Sequence, residues 1–268
     1  MISIVVLTHN RAELLQRSVQ RVLARTSSLT REIVIWNNAS TDGTAEYLAS
    51  IRDERVRVVN HPENIAMNGL KPAFELTSQP FLLELDDDVV EAPERWDETL
   101  LDAYRRLPGI GLLCASIAEN DGDPRSRYIR YLREETDRYT PMEVDGIRIL
   151  RGSVGGACTM VSRDVYAQVG GFTQNQKHPY WRPEIPFQRR MRKLGWDSAF
   201  LLTLEVVHDA GEQSEPPAPK AAFYWHEKRL RERKDAVKRV LLAVPFFGAL
   251  NRRFDLFDPP LPPYDPRG

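Results

Sequence analysis

Apolar runs of strand length alternate with segments of helical periodicity through the first half of the chain. The run 2-ISIVVLT-8 is apolar throughout, as in a parallel strand that is covered on both faces. Leucine and valine then recur at helical spacing in residues 11–26. Further strands are predicted at 32–37, 56–60 and 81–85, and further helices at 44–54, 70–77 and 93–107. This alternation predicts an α/β domain with a mostly parallel central sheet flanked by helices.

The second half of the chain is less regular. Residues 119–150 are polar and rich in turn formers, which indicates an excursion from the core. Core elements are then predicted at 153–162, 163–170, 184–195 and 199–208. We therefore predict one domain over residues 1–218, with halves 1–118 and 119–218, a basic amphipathic helical segment over 219–257, and a Pro-rich tail over 258–268.

The charge balance and the cysteine usage exclude several classes of protein. The chain has 37 Lys and Arg against 38 Asp and Glu, so no overall positive field favours nucleic acid. No apolar run approaches the roughly 18–20 residues that span a bilayer, and the first residues lack the basic region of a signal peptide. Cys114 and Cys158 lie far apart in strand-like segments, which is typical of reduced buried thiols. We expect a cytoplasmic protein.

Three consecutive aspartates follow the apolar run in 81-FLLELDDDVV-90. Their mutual repulsion is relieved by a cation, and Mg²⁺ and Mn²⁺ prefer such carboxylate oxygens. Asp86 and Asp88 are predicted to face one side together, with Asp87 filling the turn. The alternative is an acidic loop that caps the next helix.

Other polar residues also follow predicted strands. Thr8 and His208 are the last residues of predicted strands, and Asn38 directly follows another. Ligands of open α/β sheets bind beyond the carboxyl ends of the strands. A single histidine is often a core or surface residue, but His208 is also a suitable metal ligand. These strand ends predict one shared site that includes Asp86 and Asp88. A dehydrogenase is disfavoured because no Gly-rich phosphate loop follows the first strand.

Five segments in order give the chain a family resemblance. They are 3-SIVVLTHNR-11, 37-NNASTDGT-44, 86-DDD-88, the glycine pair 155-GG-156 and 163-RDVYAQVGGF-172. Together they resemble the inverting glycosyltransferases of family 2, which have the GT-A fold, and the similarity covers roughly residues 1–210. This implies a nucleotide-sugar half over 1–118 and an acceptor half over 119–218.

The resemblance also implies roles for individual residues. Asp88 and His208 would bind Mn²⁺ or Mg²⁺, and Gly156 would allow close approach of the backbone to a sugar. Asn38 stands where many members have a base-recognising Asp, so the identity of the nucleotide base stays open. The residues implied on the donor side are Thr8, His9, Arg11, Asn38, Asp42, Asn68, Asp86 and Asp87.

Glu184 is the candidate catalytic base by the same resemblance. Inversion by single displacement needs a carboxylate within reach of the acceptor hydroxyl. Pro183 and Pro186 replace the acids that usually neighbour this position. The alternative is an ordinary acid in the first turn of a helix, favoured there by the helix dipole.

The implied function is metal-dependent transfer of a sugar from a nucleoside-diphosphate sugar, with a UDP-sugar favoured. The acceptor would be a hydroxyl of a glycan, a lipid-linked or a small molecule. The alternative is a catalytically impaired module that binds a nucleotide sugar. Residues 226–250 combine basic and apolar side chains, which suits peripheral contact with the inner face of an anionic membrane. A helix that closes the domain, or a homodimer contact, are the alternatives for this segment.

Overall fold

The computed structural model describes residues 1–119 and 139–209, together with isolated positions between 229 and 247. The chain divides into two compact units, Met1–Gly211 and Glu212–Gly268. The predicted boundary near 218 and the Pro-rich tail over 258–268 lie outside the described residues. No helix in these described parts is long and apolar enough to cross a membrane.

The first unit alternates strands and helices as predicted. Its strands are β1 (Ile2–Thr8), β2 (Thr30–Asn38), β3 (Val56–His61), β4 (Phe81–Asp86), β5 (Val89–Glu91), β6 (Ile110–Glu119), β7 (Thr140–Val144), β8 (Ile147–Arg151), β9 (Cys158–Ser162) and β10 (Asp197–His208). Its helices are α1 (Ala12–Arg21), α2 (Thr44–Ser50), α3 (Leu70–Glu75), α4 (Trp96–Arg106), α5 (Arg163–Gln168) and α6 (Glu184–Lys193), with 3-10 turns at Leu23–Arg25 and Ala66–Gly69.

All ten strands belong to one sheet in the order β3-β2-β1-β4-β9-β6-β10-β8-β7, with β5 paired to β10. The first four strands are parallel, which confirms the predicted arrangement for this half. β9 runs antiparallel between β4 and β6, and β8 runs antiparallel to β10. The sheet is therefore mixed. Parallel neighbours need a crossover connection, and the second half of the chain lacks such a connection for each of its strands.

The β7–β8 hairpin lies in the stretch that the sequence predicts to be an excursion. Asp145 and Gly146 form its turn, with φ of 49° and 79°. Two positive φ values are typical of the type I′ turn that Asp-Gly favours in hairpins. Sequence reasoning did not predict these two strands, although the Asp-Gly pair signals such a turn. Residues 120–138 before them are outside the described part.

Helix α4 begins later than its sequence pattern predicts. Pro93 was expected at its first position, but the helix starts at Trp96, and Arg95 before it has a left-handed φ of 57°. The backbone N–H of Arg95 donates to the carbonyl of Arg25, so a tertiary hydrogen bond holds this turn. Trp96 is fully buried.

The two cysteines are free and buried, as expected. Cys114 on β6 pairs in register with Thr159 of β9, so Cys158 is offset by one residue and faces the opposite side of the sheet. Burial raises the pKa of both thiols, for Cys114 to about 12. Both thiols are therefore packed core groups.

Candidate active site

Strand ends bring the acidic triplet and His208 together at one edge of the sheet. β1, β2 and β4 are parallel neighbours, so Thr8, Asn38 and Asp86 end at the same edge. β10 reaches this edge through its antiparallel pairing with β5, in which His208 pairs with Val89. Ligand atoms of Asp86, Asp88 and His208 all lie within 4.8 Å of one another. The structure thus brings together the three residues that the sequence suggested as a cluster.

Asp88 is the centre of this cluster. Its Oδ2 accepts a hydrogen bond from Arg11 Nη1 at 2.5 Å, and its Oδ1 lies 2.9 Å from His208 Nε2. The second contact lacks hydrogen-bond geometry, so Oδ1 is a buried oxygen with no hydrogen-bond donor among the described residues. Burial opposes the charged carboxylate, but His208 and Arg11 together hold the pKa of Asp88 below its usual range.

The other two members of the cluster have shifted pKa values as well. Burial lowers the pKa of His208, but Asp88 and Asp86 more than offset this and raise it to about 9. Burial and the negative charge of Asp88 raise the pKa of Asp86 to about 6. Two carboxylates, one with an open oxygen, and one imidazole fit the preferences of Mn²⁺ for oxygen and nitrogen ligands. The raised pKa values of His208 and Asp86 favour protonation of these groups, so the cluster takes up positive charge at the position where a divalent cation would bind.

Asp87 does more than fill the turn. It is buried, and its Oδ1 accepts a hydrogen bond from Arg11 Nη1 at 2.8 Å. The buried hydroxyl of Thr8 lies beside Asp87 without the geometry of a full hydrogen bond. Arg11 therefore joins the start of α1 to both Asp87 and Asp88.

The side chain of Asn38 is turned into the protein. Its Oδ1 accepts from Trp36 Nε1 at 3.1 Å, and its Nδ2 donates to the carbonyl of Ala66 at 3.2 Å. The backbone carbonyl of Asn38 accepts from His9 Nδ1 at 2.7 Å, which sets the tautomer of that ring. His9 is half-buried, and its role against a nucleotide base stays a prediction.

Asp42 connects the loop after β2 to two helices. Its Oδ1 accepts from the backbone N–H of Thr44 at 2.9 Å, and its Oδ2 accepts from the N–H of Ala12 at 3.1 Å. The partners of Asp42 are therefore the first residues of α2 and α1. A role of Asp42 and Asn38 in nucleotide binding stays a prediction.

Asn68 links the donor side of the site to the loop that leads to Glu184. Its Nδ2 donates to the carbonyl of Asn175 at 3.2 Å, and its Oδ1 accepts from the N–H of Asn175 at 2.7 Å. Gln174 Nε2 also donates to the Asn68 carbonyl, and the N–H of Met67 donates to Pro179. Sequence reasoning missed this connection, which no local pattern indicates.

Glu184 is 2% exposed, unlike an ordinary acid in the first turn of a helix. Its Oε1 accepts from Arg182 Nε at 2.5 Å, while its Oε2 is buried and has no hydrogen-bond partner in the described chain. One turn later, Gln188 exchanges hydrogen bonds with the backbone N–H and carbonyl of Val154. α6 is thereby held against the segment that contains Gly156, with one oxygen of Glu184 left open.

Glu84 is a further site residue that sequence reasoning missed. It is buried on β4, two residues before Asp86, and a Cβ atom at Gly156 would overlap its carboxyl group. Burial first, and then the charges of Glu184 and Asp86, raise its pKa well above the usual range. The signal was present in 81-FLLELDDD-88, where Glu84 is a lone charge inside an apolar run.

Comparisons with known proteins identify the family of this chain. The family model "Glycosyl transferase family 2" matches residues 3–170. An N-acetylglucosaminyl-diphospho-decaprenol L-rhamnosyltransferase of Mycobacterium tuberculosis is 27% identical over 71% of this chain and 71% of its own length. An uncharacterized protein, y4gI, of Sinorhizobium fredii is 23% identical over 88% of this chain, which spans only 26% of that relative.

A solved structure shows the same fold. The mannosyltransferase PcManGT from Pyrobaculum calidifontis, in complex with GDP-Man and Mn²⁺, superposes with a TM-score of 0.56 at 19% identity. The match covers 80% of this chain and 58% of the mannosyltransferase. With the family model matching well over half of its residues, the chain belongs to glycosyl transferase family 2, and it has the GT-A fold.

Proposed function

We propose that this protein is a metal-dependent inverting glycosyltransferase that moves a sugar from a nucleoside-diphosphate sugar to an acceptor hydroxyl. The observation that carries the proposal is the pairing of two sets of groups. Asp86, Asp88 and His208 form a compact cluster of potential metal ligands, and Glu184 next to it has an open oxygen. The negative charge of Glu184 contributes to the raised pKa of Asp86, after burial and the charge of Asp88.

The residues of the cluster suit a donor diphosphate. A bound Mn²⁺ or Mg²⁺ would neutralise the charge that develops on the leaving diphosphate. Asp86, Asp88 and His208 are the residues that would hold the ion, with the buried Oδ1 of Asp88 as its best-placed oxygen. Arg11 keeps the remaining oxygen of Asp88 and one oxygen of Asp87 oriented.

Glu184 is the proposed general base. Its open Oε2 would accept the proton of the acceptor hydroxyl while the hydroxyl oxygen forms a bond to the anomeric carbon. The bond from that carbon to the diphosphate oxygen breaks in the same step, and its electron pair leaves with the diphosphate. Attack opposite the leaving group inverts the anomeric carbon. Arg182 holds Oε1 through this step and so orients the carboxylate.

A lipid-linked acceptor is the acceptor class that we favour. The mycobacterial relative is named for a diphospho-decaprenol acceptor. Most of residues 226–250 lie outside the described part of the chain, but Val237, Val240, Val244, Phe246 and Phe247 are described and exposed. Valines three or four residues apart share one side of a helix. We propose that this side meets an anionic membrane, assisted by Lys228, Arg229, Arg231, Arg233, Lys234, Lys238 and Arg239.

The decisive experiment is a transfer assay with a panel of nucleoside-diphosphate sugars, UDP-sugars first, in Mn²⁺ with hydroxyl and lipid-linked acceptors. Glu184→Gln should bind the donor as the wild type does but lower kcat by at least about 100-fold, as expected for loss of a general base. Glu46→Gln is the matched control, because Glu46 is an exposed acid in the first turn of α2. Unchanged transfer by Glu184→Gln would show that the base is another residue.

A catalytically impaired binding module is the second candidate. The internal hydrogen bonds of Asn38 and the proline at 183 before the proposed base favour it. The same assay separates the two: a binding module binds donor with a measurable Kd and neither hydrolyses nor transfers it.

A further inference from the structure

The carboxyl group of Glu84 lies on the floor of the site. Residues two apart on a strand face the same side of the sheet, so Glu84 and Asp86 of β4 share one face. Glu84 is 4% exposed, and it fills the space where any side chain at residue 156 would begin. Gly156 therefore leaves room for this carboxyl group.

The described residues do not explain the burial of Glu84. In the described ranges 1–119 and 139–209, no side chain or backbone group hydrogen-bonds to it, and no cation pairs with it. Arg182 attracts it at longer range but directs its Nε to Glu184. Burial of a polar group without a hydrogen-bond partner destabilises a fold. A group that a ligand brings into the site would supply the missing hydrogen bonds.

Glu84 is close to both sides of the reaction. Asp86 lies two residues further along β4. Gly156, which contacts Glu84, lies in the segment that Gln188 of α6 hydrogen-bonds at Val154, and Glu184 is the first residue of α6. The negative charges of Glu184 and Asp86 both act on Glu84. In a single displacement, the transferred sugar lies between the acceptor hydroxyl, here at Glu184, and the diphosphate, here at Asp86 and Asp88. A residue that is near both Glu184 and Asp86 therefore lies beside the transferred sugar ring.

We propose that Glu84 forms a hydroxyl-binding subsite for the transferred sugar, in which its carboxyl group hydrogen-bonds a ring hydroxyl of the donor. The subsite makes Glu84 a determinant of donor-sugar specificity, because an analogue that lacks the hydroxyl leaves the carboxyl group unpaired. This inference rests on the proposed function for the position of the sugar ring.

The test is a double-mutant cycle between Glu84 and the hydroxyls of the donor. Glu84→Leu and the isosteric Glu84→Gln are compared with the wild type for Kd and kcat/KM, using the preferred donor and its monodeoxy analogues. Glu84→Leu should lower kcat/KM for the intact donor about 10- to 100-fold, the cost of leaving a buried polar group without its hydrogen-bond partner. It should cause no further loss with the one analogue that lacks the contacted hydroxyl. Affinity for the free nucleoside diphosphate should stay unchanged.

Asp97→Asn is the matched control. Asp97 is also a buried carboxyl group, but it accepts hydrogen bonds from Ser27 and Thr30 at the opposite edge of the sheet. Replacement of Asp97 should change kcat/KM by the same factor for the intact donor and for all its deoxy analogues. If Glu84→Leu and Glu84→Gln likewise lower kcat/KM by the same factor for the intact donor and for every deoxy analogue, the subsite does not exist. Because Kd is measured as well as turnover, a wild type that binds donors without transferring them contradicts the proposed function alone.

Discussion

His208 Nε2 lies 2.9 Å from Asp88 Oδ1, which joins the last residue of β10 to the turn after β4. The backbone reinforces this contact, because the N–H of Asp209 donates to the carbonyl of Asp88 at 2.7 Å. Arg17 pairs with Asp209 at 2.6 Å on the other side. The final strand of the sheet therefore contributes one corner of the proposed metal site, and several consequences can be measured.

Replacement of Asp88 or His208 should weaken binding of Mn²⁺. Asp88→Asn removes a charged oxygen ligand and His208→Asn removes the imidazole, and we expect each to lower Mn²⁺ affinity by at least about 10-fold. Isothermal titration calorimetry on the metal-free protein measures this. Asp53→Asn, which changes a carboxylate paired with Arg55 away from the cluster, is the control. Equal Mn²⁺ affinity in all the variants would place the metal elsewhere.

Stability of the metal-free protein should fall as the pH rises through about 9. The pKa of His208 in the folded protein, about 9, exceeds the usual histidine value of 6.5, so its stabilising contribution is complete below about pH 6.5 and is lost above pH 9. The contribution is on the order of 2 kcal/mol, because the side chain is partly exposed. Urea unfolding in a chelator measures it. His208→Asn and Asp88→Asn should both lack this loss between pH 6.5 and 9.

Asn68→Ala should loosen the loop that leads to Glu184. The substitution removes both side-chain hydrogen bonds to Asn175, which costs about 2 kcal/mol for two partly buried bonds. We expect a lower Tm and new proteolytic cleavage within residues 173–183. Asn64→Ala is the control, because exposed Asn64 only accepts a local bond from Ala66. Equal cleavage in both variants would argue against the connection.

Gly156→Ala should destabilise the protein through contact with Glu84. The added Cβ would overlap the carboxyl group in a buried region, and such overpacking costs about 1–3 kcal/mol. Combination with Glu84→Ala should restore part of the lost Tm, because the overlapping atoms are then absent. Gly43→Ala, whose Cβ would make only an ordinary contact with Ala12 at 4.0 Å, should change little. Additive losses in the double variant would contradict the contact.

Anionic vesicles should retain the full-length protein in a flotation assay. Val240→Asp combined with Phe246→Asp should abolish retention, since both exposed side chains lose their apolar character. High salt should weaken the retention of the wild type. Leu202→Asp, at an exposed apolar position on β10, should have no effect. Concentration-dependent dimers without vesicle binding would favour the contact between two copies instead.

The sequence determined the type and order of the elements and the edge at which the site lies. Apolar runs and helical spacing are local patterns, so β1 to β4 and the helices between them were predictable from short windows. Parallel strands end at a common edge, which placed Thr8 beside Asp86 before any coordinates were known. The strand that carries His208 was likewise predictable, and the cluster of Asp86, Asp88 and His208 agrees with it.

Only the tertiary structure decided what each polar side chain faces. The inward turn of Asn38, the pairing of Arg11 with Asp87 and the burial of Glu84 under Gly156 all join residues from different elements. The antiparallel placement of β9 between β4 and β6 brings Gly156, two residues before β9, next to Glu84 of β4. Hydrophobic periodicity records which residues are buried but not which strand lies alongside, because strand pairing depends on contacts between distant parts of the chain.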